Sequence, residues 1–249
     1  MKIAARYKLG PLFTPPVLSK WDGPIATLVL PNFNGGVNWP GASVDPETKR
    51  MYLYSFTQAW ALGVVQSDGK RSDMSYISGL ARDPNAPAAG AAAGGGGGGG
   101  EGGPPGLTVQ GLPIIKPPYG RITAIDLNRG EIAWQVAHGE TPDNIKNNPA
   151  LKGLTIPRTG QPLGRIGTLT TKTLVVAGEP GFTTTSTGQR GAMLRAYDKA
   201  TGAEVGAVYM PAPQTGSPMT YSLGGKQYIV IAVSGGAYSG ELLAFRLPS

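Results

Sequence analysis

The side chains of this 249-residue chain that could do chemistry are few and far apart. The single histidine, His138, lies in Val136-Ala137-His138-Gly139-Glu140. It has no second histidine or cysteine to complete a metal site or a triad, and it reads as a loop residue. Ser43, Ser217 and Ser234 lack the glycine-flanked elbow that exposes a nucleophilic serine, so hydrolysis has no support. The run Gly94 to Gly100 is not a phosphate loop, because no Lys-Ser/Thr step and no helix follow it. Cysteine is absent, which excludes disulfides and thiolate metal sites. What remains is a block with an amide next to an indole, Gly35-Gly36-Val37-Asn38-Trp39. On its own it reads as a turn asparagine followed by a core aromatic.

The elements that must position these groups are organised around Ile122 to Trp134, ITAIDLNRGEIAW. Alternation from Ile122 to Ile125 predicts a strand. Asp126, Asn128 and Gly130 supply turn chemistry, and Glu131 to Trp134 begins a second strand. The pattern returns at Leu194 to Gly206, LRAYDKATGAEVG, with Asp198 matching Asp126 and Gly202 matching Gly130. Both aspartates are expected to tie their turns through backbone hydrogen bonds rather than act as bases. Trp134 ends the first hairpin as a bulky anchor, and Gly206 stands at its place in the second copy.

Gly (39) and Pro (23) together reach about twice their usual share, which suits many tight turns between short strands. No segment of useful length has helical period. Strands are predicted at 121–126, 131–136, 166–170, 173–178, 193–198, 203–210, 217–222, 227–233 and 241–247, with earlier ones at Pro24 to Pro31 and Met51 to Ser55; 56–83 is ambiguous. Grouped, they give one sheet from about 37–55 plus 121–136, a second over 166–210, and a third from Ser217 that stops after three strands. Four-stranded sheets repeated at this scale read as propeller blades. The fold class is therefore all-β: a partial β-propeller of four-stranded antiparallel blades, about two complete and incomplete ones at both ends. A Gly/Ala/Pro-rich stretch at about 84–118 interrupts this single domain and reads as a long loop. The formal charge is +7, but Lys and Arg are scattered, which favours a soluble basic surface over a nucleic-acid partner. No apolar run is long enough to span a membrane, and the first residues hold no signal-peptide core.

Several blocks now carry a resemblance. Ala124-x-Asp126 with Gly130 and Trp134 resembles the tryptophan-docking motif of the pyrroloquinoline-quinone (PQQ) dependent alcohol and glucose dehydrogenases, which implies that Trp134 docks against the next blade with its ring buried and that Gly206 weakens the same contact in the second copy. Phe13-Thr14-Pro15-Pro16, Gly35-Gly36-x-Asn38-Trp39, and Asp45-Pro46 with Tyr52 are similar to the central-to-late blades of that family. Gly216-Ser217-Pro218-Met219-Thr220-Tyr221, Gly225 to Ile231 and Glu241 to Pro248 resemble its last blade. The match covers most of residues 12–55 and 117–248, nearest the membrane-type glucose dehydrogenase branch. The resemblance implies an eight-bladed propeller, PQQ and calcium as cofactors, a sugar or alcohol substrate, a quinone or cytochrome electron acceptor, and a periplasmic location. Asn38 and Trp39 would border the cofactor, the amide bonding a quinone or carboxylate oxygen. No block matches the family's calcium ligands or catalytic aspartate, which lie mostly in earlier blades. The chain then reads as the C-terminal portion of the domain, inactive alone without the missing N-terminal blades. The alternative is a non-enzymatic propeller that binds periplasmic protein partners.

Overall fold

The computed structural model describes residues 4–31, 35–70, 72–85, 107–162, 164–185 and 187–246. The low-complexity run from 86 to 106, including the Gly94 to Gly100 run, and the last residues of the terminal strand block lie outside them. The regular structure of the described residues is almost all strand, with one short α-helix, α1 (Asp143–Lys146), and 3-10 turns at Ala4–Arg6 and Pro149–Leu151. It divides into two compact units. The first holds β1 (Tyr7–Lys8), β2 (Val17–Leu18) and β3 (Ala26–Val29). Next in the chain come β4 (Ala42–Asp45) and β5 (Arg50–Phe56), which belong to the second unit. The first unit resumes with β6 (Trp60–Gln66) and β7 (Tyr76–Ser78), inside the stretch whose pattern was ambiguous. Its sheet runs β1-β3-β6-β2, with β7 also on β6. The β1–β3 and β2–β6 pairs are parallel, a departure from the antiparallel pattern that the repeat predicts. Both involve two-residue strands, which are too short to form hairpins of their own.

After the two-residue strands β8 (Thr108–Val109) and β9 (Leu112–Pro113), the second unit continues with β10 (Gly120–Asp126) and β11 (Glu131–Ala137). It then adds β12 (Leu169–Thr170), β13 (Leu174–Gly178), β14 (Thr183–Thr184), β15 (Arg190–Asp198) and β16 (Glu204–Met210). It ends with β17 (Gln214–Leu223), β18 (Lys226–Gly235) and β19 (Tyr238–Arg246). The first sheet is β11-β10-β5-β4 and the third is β17-β18-β19. The second is β12-β13-β15-β16, with β14 also on β15. All their pairings are antiparallel, in the grouping that the sequence pattern predicts.

Strand alternation explains how the sheets stack. Successive side chains point to opposite faces. On β13, Val175 and Ala177 enter one core with Tyr52, Tyr54, Phe56, Ile122, Ala124, Ile166 and Tyr197. Val176, between them, enters the other with Leu194, Met210, Ile231 and Val233. One β-strand thus glues the second sheet to both neighbours.

The two hairpin copies match in detail. Asp126 accepts from the backbone N–H of Asn128 and Arg129, and Asp198 from those of Ala200 and Thr201. Gly130 and Gly202 both take positive φ, 68° and 76°. Both pairs carry a register shift at the matching alanine, Ala124 and Ala196. A third copy joins β4 to β5: Asp45 accepts from the N–H of Glu47 and the hydroxyl of Thr48. There Lys49, at φ 52°, occupies the glycine position, so the sequence pattern hid it.

Trp134 docks as expected. Its ring lies over Gly202, where a Cβ would come within 2.6 Å of it. Its indole N–H donates to the Lys199 carbonyl at 3.1 Å, and Tyr52 packs at 5.7 Å between ring centroids. The ring is only half-buried, because β11 is the last strand of its sheet and one indole face borders solvent. At Gly206 an added Cβ would meet nothing within 4 Å, so no equivalent contact ties the second sheet to the third there.

Candidate functional site

Three sheets bring their edge strands together at one place. The Ser43 hydroxyl of β4 bonds those of Thr168 and Thr170, at 2.7 and 2.6 Å. The Pro40 carbonyl, just before β4, accepts from Ser217 of β17 at 3.3 Å. Between them Gly167 donates its N–H to the Gly216 carbonyl at 2.8 Å. A side chain at Gly167 would strike Ser217 and the Pro40 carbonyl, so only glycine lets the edges approach this closely.

Asn38 and Trp39 immediately precede this meeting point. Asn38 turns the chain, as one reading of the sequence holds: its carbonyl accepts from Gly41, and its side-chain oxygen accepts from the Trp39 N–H at 2.8 Å. This commits the oxygen and leaves the amide N–H₂ to donate to a ligand oxygen. The Trp39 backbone N–H is used up in the same bond. Trp39 is no core aromatic, since it is 75% exposed. An amide N–H₂ can donate to a ligand oxygen, and an exposed indole can cover an apolar surface. For calcium the outcome differs: among the described residues no group of three or more histidines or carboxylates could hold a metal ion.

His138 lies in a loop, as read from the sequence, but its surroundings were not legible there. It follows β11 in irregular chain, yet it is fully buried. Its Nε2 lies 3.0 Å from the Gly178 carbonyl and its Nδ1 2.8 Å from the Tyr197 hydroxyl. A carbonyl only accepts, so Nε2 carries the proton and Nδ1 accepts from tyrosine. Burial pushes its pKa down to about 4, aided by Arg195 and Arg158 and opposed by the Gly178 bond. The ring is a neutral link between the first and second sheets. Gln161 extends it, donating its backbone N–H to the His138 carbonyl and accepting from Tyr54 on its own.

Beside it lies an ion cluster that the sequence analysis missed. Glu179 is fully buried, and Arg195 reaches its Oε1 at 2.6 Å. The guanidinium also pairs with Glu140 at 3.0 Å and Glu204 at 2.8 Å, and Arg158 closes onto Glu204 at 2.6 Å. Glu179 further accepts from the N–H groups of Glu140 and Met193. Burial raises the Glu179 pKa against the pull of Arg195, and Arg158 and Arg195 hold Glu204 below its ordinary range despite burial. With Glu179 spent on three donors, the cluster is structural. Its signal in the sequence was a charge set against apolar residues: Glu179 directly after Leu174-Val175-Val176-Ala177-Gly178, and Arg195 between Met193-Leu194 and Ala196-Tyr197.

Comparison with known proteins gives these features a family. Residues 1–229 match the family described as PQQ glucose/ethanol/alcohol dehydrogenase, beta-propeller domain. A probable quinate dehydrogenase (quinone) of Xanthomonas campestris pv. juglandis is 30% identical, over 91% of this chain and 28% of its own length. Quinoprotein glucose dehydrogenase A of Acinetobacter calcoaceticus is 27% identical, over 95% of this chain and 27% of its own. A solved quinohemoprotein alcohol dehydrogenase of Pseudomonas putida HK5 superposes with a TM-score of 0.49 at 18% identity, covering 86% of this chain and 24% of that one. The chain thus spans under a third of the length of the curated relatives it matches. The repeated four-stranded sheets, the docked Trp134 and this match agree: the chain belongs to the β-propeller family of PQQ-dependent glucose, ethanol and alcohol dehydrogenases.

Proposed function

We propose that this chain is part of a dehydrogenase that oxidises a sugar or alcohol in the periplasm and passes the electrons to a quinone or a cytochrome, and that Asn38 and Trp39 border its PQQ. The observation that carries the reading is the placement of Gly36-Val37-Asn38-Trp39 where three sheet edges meet, with the Asn38 amide N–H₂ and the Trp39 ring available. Bound PQQ, with calcium beside it, would supply an electrophilic quinone carbonyl able to take up hydride. The Asn38 side chain donates to an oxygen of the ligand and orients it. The Trp39 ring covers an apolar face and excludes water from it. The calcium ligands and the carboxylate that takes the hydroxyl proton are supplied by residues outside this segment.

The test is dye-linked dehydrogenase activity of the purified 249-residue chain with PQQ and calcium, beside the same chain joined to the preceding blades of a relative. The short chain is expected to be silent and the longer one active, with Asn38→Ala weakening PQQ binding in the latter. Clear turnover by the short chain would refute the placement of the catalytic groups elsewhere. Unchanged PQQ affinity in Asn38→Ala would refute the role given to that amide.

A further inference from the structure

The turn that carries Asn38 and Trp39 is held from outside its own sheet. Asn38, Trp39, Pro40 and Gly41 form it, closed by the Gly41 N–H on the Asn38 carbonyl at 3.0 Å. The Ser217 hydroxyl, on β17 of the third sheet, donates to the Pro40 carbonyl at 3.3 Å, so this bond falls on the turn itself. Before the turn, the Gly36 carbonyl accepts from the Phe56 N–H at 2.9 Å, and after it Ser43 bonds Thr168 and Thr170.

Ser217 stands on a fixed base. The carbonyl of its neighbour Gly216 accepts from the Gly167 N–H, and the Gln214 amide donates to the carbonyls of both Gly167 and Gly216 at 2.8 Å. Gln214 is itself buried, and its side-chain oxygen accepts from the Gly178 N–H. The second and third sheets are thus tied together at the point from which the hydroxyl reaches the turn. Gly167 sets the spacing. It does not take positive φ, so its backbone conformation does not call for glycine. A Cβ there would come within 2.1 Å of the Ser217 hydroxyl oxygen and 3.1 Å of the Pro40 carbonyl oxygen, the two partners of the bond. The space left by the missing side chain is the space in which that bond forms.

We propose that Ser217 and Gly167 are positioning residues for Asn38 and Trp39: the hydroxyl holds the turn that presents the amide and the indole, and the glycine leaves room for it to do so. The proposal rests on the cofactor reading above. Two exposed groups on irregular chain bind a ligand more tightly when their backbone is fixed beforehand, because less freedom is lost on binding. Amide hydrogen exchange, followed by NMR on the 249-residue chain, reads the turn directly at the Gly41 and Trp39 N–H groups, with the Gly130 N–H of the Asp126 turn as the control. Loss of one hydrogen bond predicts exchange roughly two- to ten-fold faster at Gly41 and Trp39 in Ser217→Ala, and no change at Gly130. Ser217→Thr, which keeps the hydroxyl, should exchange like wild type. Gly167→Ala should speed exchange at the same two groups, and should add little in a Ser217→Gly background, where the atoms it strikes most closely are gone. Equilibrium dialysis of the same chain against PQQ should show a weakening of roughly two- to ten-fold in Ser217→Ala, with Asn38→Ala measured beside it.

Faster exchange confined to the turn, together with weaker PQQ binding, supports the proposal. Wild-type exchange in Ser217→Ala, an equal rise at Gly130, or a Ser217→Thr variant that exchanges as fast as Ser217→Ala overturns it. If exchange at the turn is faster and Asn38→Ala weakens PQQ binding, but Ser217→Ala binds PQQ like wild type, the positioning role is overturned and the cofactor reading stands. If Asn38→Ala also binds PQQ like wild type, or the wild-type chain binds none, the cofactor reading falls and the proposal with it. Circular dichroism of each variant establishes that it is folded.

Discussion

The buried imidazole makes acid stability the most direct test of the inter-sheet packing. His138 is the only histidine in the chain, so any imidazole titration belongs to it. Its pKa in the folded protein is about 4, against the ordinary 6.5. Above 6.5 both folded and unfolded states hold a neutral ring, and the contribution to stability is fully present. As the pH falls below 6.5 the unfolded chain takes up a proton that the folded chain refuses, and stability is lost until the pH reaches the folded value. Linkage between pH 7.5 and 4.5 then gives a loss of roughly 2–3 kcal/mol. Carboxylates titrate in the same window: Glu179 is shifted up by burial and Glu204 down by its arginines. The comparison is therefore with His138→Gln, whose amide can still donate to the Gly178 carbonyl and accept from Tyr197 but cannot titrate. By urea denaturation, the wild type should lose roughly 2–3 kcal/mol more than this variant between pH 7.5 and 4.5. The imidazole Cε1 proton of the folded wild type should not move in the NMR spectrum above pH 5. A ring that titrates near 6.5 in the folded protein, or parallel pH profiles for the two, would refute the burial argument.

The docking contact gives a paired prediction. Trp134→Ala should cost about 2 kcal/mol by urea denaturation, below the range for a fully buried aromatic because the ring is half-buried, and a wild-type midpoint would remove the assignment. Gly202→Ala should cost a further 1–3 kcal/mol or so on its own, from positive φ and from the clash with the indole. In the Trp134→Ala background the clash part should vanish, and full additivity in the double-mutant cycle would refute the contact. Glu179→Gln should lower stability by about 3 kcal/mol, since Arg195 would lose its most buried partner while keeping Glu140 and Glu204. A change under about 0.5 kcal/mol, the level of an ordinary surface substitution, would mean that the cluster is not buried as described.

The sequence determined what repeats locally in the second unit wherever the turn ends in glycine. Strand alternation has a period of two residues, and the Asp–Gly turn closes within five. Both are written in consecutive residues, which is why the longer strands of that unit, their grouping and the hairpins around Asp126 and Asp198 were legible, while β6 and β7 were not. The docking of Trp134 was legible too, through the resemblance of its hairpin to the tryptophan-docking motif. The extent of its burial was not, because that depends on which strand ends the sheet.

Tertiary structure alone decided what lies between the sheets. His138 is buried by Tyr197 and Gly178, 59 and 40 residues away. Lys49 takes the conformation of a turn glycine because the Asp45 turn around it holds, not because its type favours it. Trp39 looks like a core residue by type, yet it is exposed because the chain turns at Asn38 ahead of the close approach of the edges at Gly167. Ser43 meets Thr168 and Thr170 through hydroxyl bonds that span 125 and 127 residues. A turn or a strand is settled by neighbours within one or two hydrogen bonds. The burial of a polar group and the company of an exposed one are settled by whichever sheet packs beside it, and no local pattern encodes that distance.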